Sequence, residues 1–314
     1  MLKKFRSTFA ILFILGLGLS ATLIGNGVAE DYFPTTLGSY WVYKDQNGNE
    51  LTRRAIEDKK IQGETYNRFS YESDAEDAAN YPYHLHASLY RIGEGAVTFF
   101  ARDEIEKTIK TRLTKEMKTF TEATKKIVNN NTTADVPNVS FDINYNVTVE
   151  AQDFLLLLPT ATNPDEKWHT TRIEAKVRMK YEIQGGPTDF QDADDVPTIL
   201  FDYYIVEIGE ILSTETVETP AGTFEDCLKI GYRTATKMEV LPPEQHAASE
   251  PPGESVTTLW LAPNVGIVKF HQETEDIFLK TIPDPELQSA ATVKTFELTN
   301  YEITTTESGS GKTN

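Results

Sequence analysis

Cysteine is almost missing from this chain: Cys227 is the single one in 314 residues. No internal disulfide can form, so the fold has to stand on packing alone. Positive charge is also short, with 30 Lys+Arg against 48 Asp+Glu and a net charge of −18. Such a surface repels phosphate backbones and disfavours an anionic membrane, which excludes nucleic acid as a partner. Beyond the first 29 residues no apolar run is long enough to span a bilayer; residues 154–159, FLLLLP, fall far short. The chain contains no G-x-S-x-G, H-E-x-x-H or G-x-G-x-x-G. The common local signatures of a serine hydrolase, a zinc peptidase and a dinucleotide-binding turn are therefore lacking.

What is present begins with export. Lys3, Lys4 and Arg6 precede an apolar run over residues 9–24, and Gly27 and Ala29 occupy the −3 and −1 positions of a cut after Ala29. This is the layout of a secretory signal peptide over residues 1–29, with an uncleaved anchor as its rival. The expected location is secreted or periplasmic, with no transmembrane span once the segment is removed. Without Lys3, Lys4 and Arg6 the mature chain keeps 27 basic residues against 48 acidic ones, a net charge of −21. Residues 30–303 are long enough for a large β-rich core, as one domain or as two similar halves, about 30–150 and 151–303. The two tryptophans at the start of each half, Trp41 after FPTTLGSY and Trp168 after LPTATNPDEK, form a weak internal echo. Residues 304–314 read as a disordered tail. Its GSGKT is not a phosphate loop, because Thr306 stands where the first Gly belongs and no chain remains for a helix.

Strand patterns punctuated by turns dominate. Residues 38–56 read as a hairpin closed by Asn47-Gly48. Later runs alternate cleanly, as where Leu228, Ile230 and Tyr232 share one face and Lys229 and Arg233 the other. The expected fold is mainly β, a curved antiparallel sheet or half-barrel of meandering hairpins, with one amphipathic helix near residues 104–128. That helix rests on the stripe Ile105, Ile109, Leu113, Met117, Phe120 and Ile127, with Asp103 and Glu106 placed to cap it. Six threonines in the same segment argue for a strand instead.

Few residues suggest chemistry. His84 and His86, two apart in YHLHA, could share one strand face and a metal, but no third ligand follows, so they read as edge-strand histidines. Asp189, Asp192, Asp194 and Asp195 are weak candidates for Ca²⁺, since the loop lacks the spacing and closing Glu of an EF-hand; a solvated acidic loop accounts for them. Asn-x-Ser/Thr triplets start at Asn130, Asn131, Asn138 and Asn146 and matter only in a glycosylating host. Cys227 follows a turn in which Pro220 sets φ and Gly222 supplies a left-handed residue. Glu225 and Asp226 precede the thiol and raise its pKa, the reverse of what a nucleophile needs, so Cys227 reads as a packed strand residue. Pro263, Asn264 and Gly266 form a second turn, and Trp41, Trp168 and Trp260 are apolar anchors at strand ends.

Three of these stretches occur together and in order. Tyr32, Phe33, Pro34, Gly38, Trp41 and Tyr43 open the mature chain. Pro220 to Phe224 with Cys227, Leu228 and Lys229 lie in the middle, and Trp260, Ala262, Pro263, Val265, Gly266, Val268 and Lys269 lie near the end. On these motifs the chain resembles a broad group of uncharacterised exported bacterial β-rich proteins. It departs from the group at residues 165–167, where a Gly is expected before Trp168. The hairpins are remotely similar to the half-barrels of bacterial lipoprotein carriers, which bind acyl chains, a likeness of fold alone. The expectation is a non-catalytic exported protein with no cofactor that binds a hydrophobic or lipid-like molecule on a concave apolar face. The alternative is a structural or protein-interaction module of the cell exterior, whose partner is another exported protein.

Overall fold

A computed structural model of the chain describes residues 32–73, 82–93, 96–131, 140–160, 166–184, 198–241, 251–282, 284 and 286–304. The signal segment, the cut at Ala29, the tail after Thr304 and the acidic loop with Asp189, Asp192, Asp194 and Asp195 lie outside the described residues.

Thirteen strands form one open antiparallel sheet. In chain order they are β1 (Tyr40–Asp45), β2 (Glu50–Ile61), β3 (Glu64–Ser73), β4 (Leu89–Gly93), β5 (Ala96–Phe99), β6 (Ser140–Ala151), β7 (Leu155–Leu158), β8 (Lys167–Gln184), β9 (Thr198–Thr219), β10 (Gly222–Leu241), β11 (Ser255–Ala262), β12 (Gly266–Thr274) and β13 (Thr292–Glu302). Across the sheet they run β6-β8-β9-β10-β11-β12-β13-β1-β2-β3-β4-β5-β7. Strands of both parts of the chain lie in this single sheet, joined where β13 pairs with β1, β6 with β8 and β5 with β7.

The topology forces curvature. β6 and β7 are separated by only three residues in the chain yet stand at opposite ends of the sheet. Such a link spans roughly 13 Å at ~3.3 Å per residue, so the sheet must curl until its ends face each other. Two hydrogen bonds hold them there without a strand ladder: Trp168 Nε1 donates to the Leu156 carbonyl (3.0 Å) and Tyr232 Oη to that of Leu157 (2.8 Å). The indole of Trp168 lies flat over Gly209, where a Cβ would meet its ring at 2.5 Å. Only glycine admits that approach. The LLLL run of β7, with Leu155, Leu157 and Leu158 all buried, is the end strand of the sheet, which its shortness hides in the sequence.

Helix α1 is a single turn (Tyr83–His86), and α2 (Arg102–Asn131) is long. α2 packs chiefly against β6 and lies across the inner face of the sheet. Its buried face is Ile105, Ile109, Leu113 and Met117, with Glu116 and Thr121. Ile127 is 52% exposed and does not belong to the stripe. Asp103 and Glu104 sit in the first turn, where the helix dipole favours acids. The threonines are accommodated because Thr108, Thr119 and Thr124 return their hydroxyls to the carbonyls of Glu104, Lys115 and Phe120, four residues back. His84 and His86 are in α1 rather than on a strand, because Pro82 opens a helical turn there with Leu85 and His86 amides bonded to its carbonyl.

Candidate binding cavity and the buried polar clusters

A cavity of about 610 Å³ lies between α2 and the inner face of the sheet. α2 contributes Thr108, Ile109, Arg112 and Glu116, and the sheet contributes Ile205, Thr234, Ser255, Gln272 and Phe296. Of these, Ile109, Glu116, Ile205, Thr234, Ser255 and Phe296 are buried and make its base, while exposed Asn47, Lys115 and Val293 mark the rim. Its size falls within the ~300–1,000 Å³ usual for small-molecule sites.

Two ionisable groups on α2 organise this space. Glu116 is 3% exposed and accepts three backbone N–H bonds, from Ile277 (2.9 Å), Phe278 (2.6 Å) and Leu279 (3.1 Å). These amides open the 3₁₀ turn Leu279–Thr281, so the carboxylate pins the loop after β12 to the helix. Arg112 is one helical turn earlier, its Nε 3.5 Å from Glu116. Arg112 Nη1 donates to Ser255 Oγ at 3.3 Å, and Nη2 has no acceptor among the described residues. Burial pushes the guanidinium pKa below its usual value, with Glu116 opposing.

Behind the cavity lies a sealed acid cluster. Glu207, 2% exposed on β9, accepts from Tyr83 Oη (2.7 Å) and Thr170 Oγ1 (2.6 Å), and His84 Nε2 is 3.2 Å from it. Burial raises the Glu207 pKa, but His84, Thr170 and Tyr83 outweigh it and hold the carboxyl below its usual range. His84 is fully buried, stacked on Tyr83 at 4.4 Å and tilted against Tyr232. His86 is tilted separately against Tyr71, so the two histidines of α1 do not converge on one point.

The third cluster is Arg53 on β2, 1% exposed. Its guanidinium lies 4.4 Å from the Phe69 ring and 4.5 Å from that of Trp41, with Phe33 and Tyr43 at 5.7 Å. No carboxylate forms an ion pair with it among the described residues, and Nε and Nη1 lack acceptors. Aromatic faces supply the negative potential instead.

The sequence motifs meet around this cage. Trp41 Nε1 donates to the Val265 carbonyl (2.6 Å) and Tyr43 Oη to that of Ile267 (2.9 Å), on either side of Gly266. Gly266 has φ +100° and sits against the Arg53 guanidinium, so a side chain there would be strained. Pro263 and Asn264 (φ +60°) form the turn from β11 into β12, closed by the Val265 amide on the Ala262 carbonyl. Pro220 and Ala221 connect β9 to β10, and Gly222 (φ +139°) opens the returning strand. A bulge at Glu225 and Asp226 then turns Cys227 fully inward beside Leu228. Burial, with Asp226 and Glu215 adding to it, pushes the thiol up to about 11. Trp260 Nε1 donates to Glu215 (2.6 Å), and Lys229 and Lys269 lie over its ring at 5.3 and 5.8 Å.

Sequence patterns missed Arg53, Arg112, Glu116 and Glu207. Glu116 alone had a visible signal, an acid three residues beyond Leu113 and next to Met117 on the buried helix face. Among the described residues no group of three or more His, Cys, Asp or Glu is placed to hold a metal ion. No described helix is long and apolar enough to cross a membrane.

No curated protein matches the chain. Two solved structures resemble it loosely. A candidate lipoprotein from Parabacteroides distasonis has 17% identity and a TM-score of 0.36, and a candidate exported protein with YmcC-like fold from Bacteroides fragilis has 16% and 0.36. In each case the match covers 86% of this chain and 98% of the other. Likeness at that level carries no inference about function. The DUF3108-like family profile matches residues 62–276, from β3 through β12, and on that match the chain belongs to the DUF3108-like family.

Proposed function

We propose that this is an exported, non-catalytic binding protein that holds a hydrophobic or lipid-like molecule between α2 and the inner face of the sheet. The cavity of about 610 Å³ carries this proposal, since Ile109, Ile205, Ile277 and Phe296 give it an apolar surface beside polar groups. Export rests on the basic, apolar and small-residue layout of residues 1–29. Absence of catalysis is supported by the sealing of Glu207 and His84, the one acid–histidine pair in the core among the described residues, at 2% and 0% exposure. A substrate could not reach either group.

One observation favours the alternative of a structural or protein-interaction module. The stripe Ile105, Ile109, Leu113 and Met117 already covers apolar surface that an empty half-barrel would offer to an acyl chain. The two are separated by native mass spectrometry of the exported protein together with titration of the apolar dye N-phenylnaphthylamine. Ligand binding predicts a co-purified small molecule or saturable dye binding, either of them abolished by Ile205→Trp, which fills the cavity. A bare protein that binds no dye would leave the interaction role standing.

A further inference from the structure

We propose that the molecule held in the cavity is a monoanionic amphiphile, and that Arg112 takes its carboxylate head. This rests on the cavity being a binding site and names the chemistry of its ligand.

Arg112 presents five N–H donors in a fixed fork. The structure uses them sparingly, in one 3.3 Å bond to Ser255 and one 3.5 Å approach to Glu116, with Nη2 unmatched. Glu116 gives it only that 3.5 Å approach, its two oxygens being shared with three backbone amides. A guanidinium with only 19% of its side chain exposed is thus left short of acceptors on the wall of a cavity large enough for a ligand. A carboxylate entering beside Ser255 would meet Nη1 and Nη2 together, the two-point geometry that Arg offers best.

The surroundings fit one negative charge. Facing the same cavity are Arg112, Lys115 and Lys294 against Asp45, Glu116, Glu275 and Asp276. Asp45 is held by the amides of Asn47 and Asn49, Glu275 by Lys280 and Asp276 by the Ser289 amide, while Glu116, Asp276 and Glu275 lie close enough to favour the charged form of Arg112 without giving Nη2 an acceptor among the described residues. The acids still outnumber the bases, so a phosphate dianion would be repelled where a single carboxylate is tolerated. Below the head group, Ile109, Ile205, Ile277 and Phe296 supply an apolar bed, and Thr234, Gln272 and Thr274 a polar wall.

The test compares octanoate, octanol and octyl phosphate by isothermal titration at neutral pH and low salt. An apolar pocket without a cationic anchor prefers the alcohol, because a carboxylate must be stripped of water to enter. The expected result is the reverse, with octanoate bound at least about tenfold more tightly than octanol and octyl phosphate weaker than octanoate. Arg112→Gln should erase the advantage by weakening octanoate while leaving octanol unchanged. The comparison within the unaltered protein decides the matter even if that variant fails to fold. Equal binding of octanoate and octanol overturns the head-group assignment and leaves the apolar cavity standing. Tighter binding of octyl phosphate overturns the choice of a monoanion. If none of the three binds, the cavity is not a binding site and both proposals fall.

Discussion

At the scale of single residues, Arg53 is a costly arrangement. Removing a guanidinium from water costs several kcal/mol, and among the described residues no buried carboxylate pairs with it. Cation–π contacts with desolvated rings return ~2 kcal/mol or more, and the side chain fills space among Phe33, Trp41 and Phe69. Volume therefore matters more here than charge. Arg53→Met keeps most of the volume and should cost under about 1.5 kcal/mol, whereas Arg53→Ala leaves a cavity and should cost ~3 kcal/mol or more. Urea unfolding of the two variants checks this, and equal losses would show that the charge itself is required. Cys227 is a contrasting case. Its thiol is buried and pushed up to about 11, while the nearby cation Lys229 is engaged by Glu215 at 3.3 Å and by the Trp260 ring. A backbone hydrogen bond from Val217 favours the thiolate, the species that would react, but burial outweighs it.

At the scale of elements, α2 is held to the sheet by two kinds of contact. One is the stripe Ile105, Ile109, Leu113 and Met117; the other is the single carboxylate of Glu116 on the turn at residues 277–279. The second is local and directional, so its loss should loosen one segment first. Glu116→Ala strands three buried N–H groups and leaves Arg112 without its counter-ion, a cost of about 3–5 kcal/mol. In hydrogen exchange the amides of Ile277, Phe278 and Leu279 should lose protection well before those of the β8–β9 ladder. Unchanged protection at those three amides would refute the pinning role. The aromatic edge contacts of Phe278 with Phe120 and Phe201, both at 5.2 Å, are expected to keep the loop near the helix after the carboxylate is gone.

At the scale of the whole molecule, acid stability depends on Glu207. Its folded-state pKa lies below the ordinary Glu value of 4.5, because Tyr83, Thr170 and His84 favour the charged form more than burial penalises it. A carboxyl with a depressed folded pKa contributes stability that is present above its unfolded pKa and lost as pH falls through the folded one. The protein should therefore lose stability below about pH 4.5, more steeply than a Glu207→Gln variant. The slopes should differ by up to one proton, ~1.4 kcal/mol per pH unit. Chemical denaturation at a series of acidic pH values measures both. Parallel acid limbs would show that the cluster is not linked to folding.

The mainly β fold, the curved sheet and the single long helix were legible in the sequence because they depend on local periodicity. Alternation at Leu228, Ile230 and Tyr232 and the helical stripe from Ile105 to Met117 each repeat within a few residues, and turn residues such as Asn47-Gly48 punctuate them. The threonines that blurred the helix are explained by bonds to its own backbone, which composition cannot show. What only the tertiary structure decided is which polar groups share an enclosed space. Glu116 meets amides 161 to 163 residues away, Tyr83 meets Glu207 across 124, and Arg112 meets Ser255 across 143. None of these pairs has a sequence spacing that chemistry prescribes. They meet because β6 and β7, three residues apart in the chain, fall at opposite ends of a thirteen-stranded sheet and curl it around α2. Short-range pattern governs which residues face inward, and the curling of the open sheet governs which of them touch.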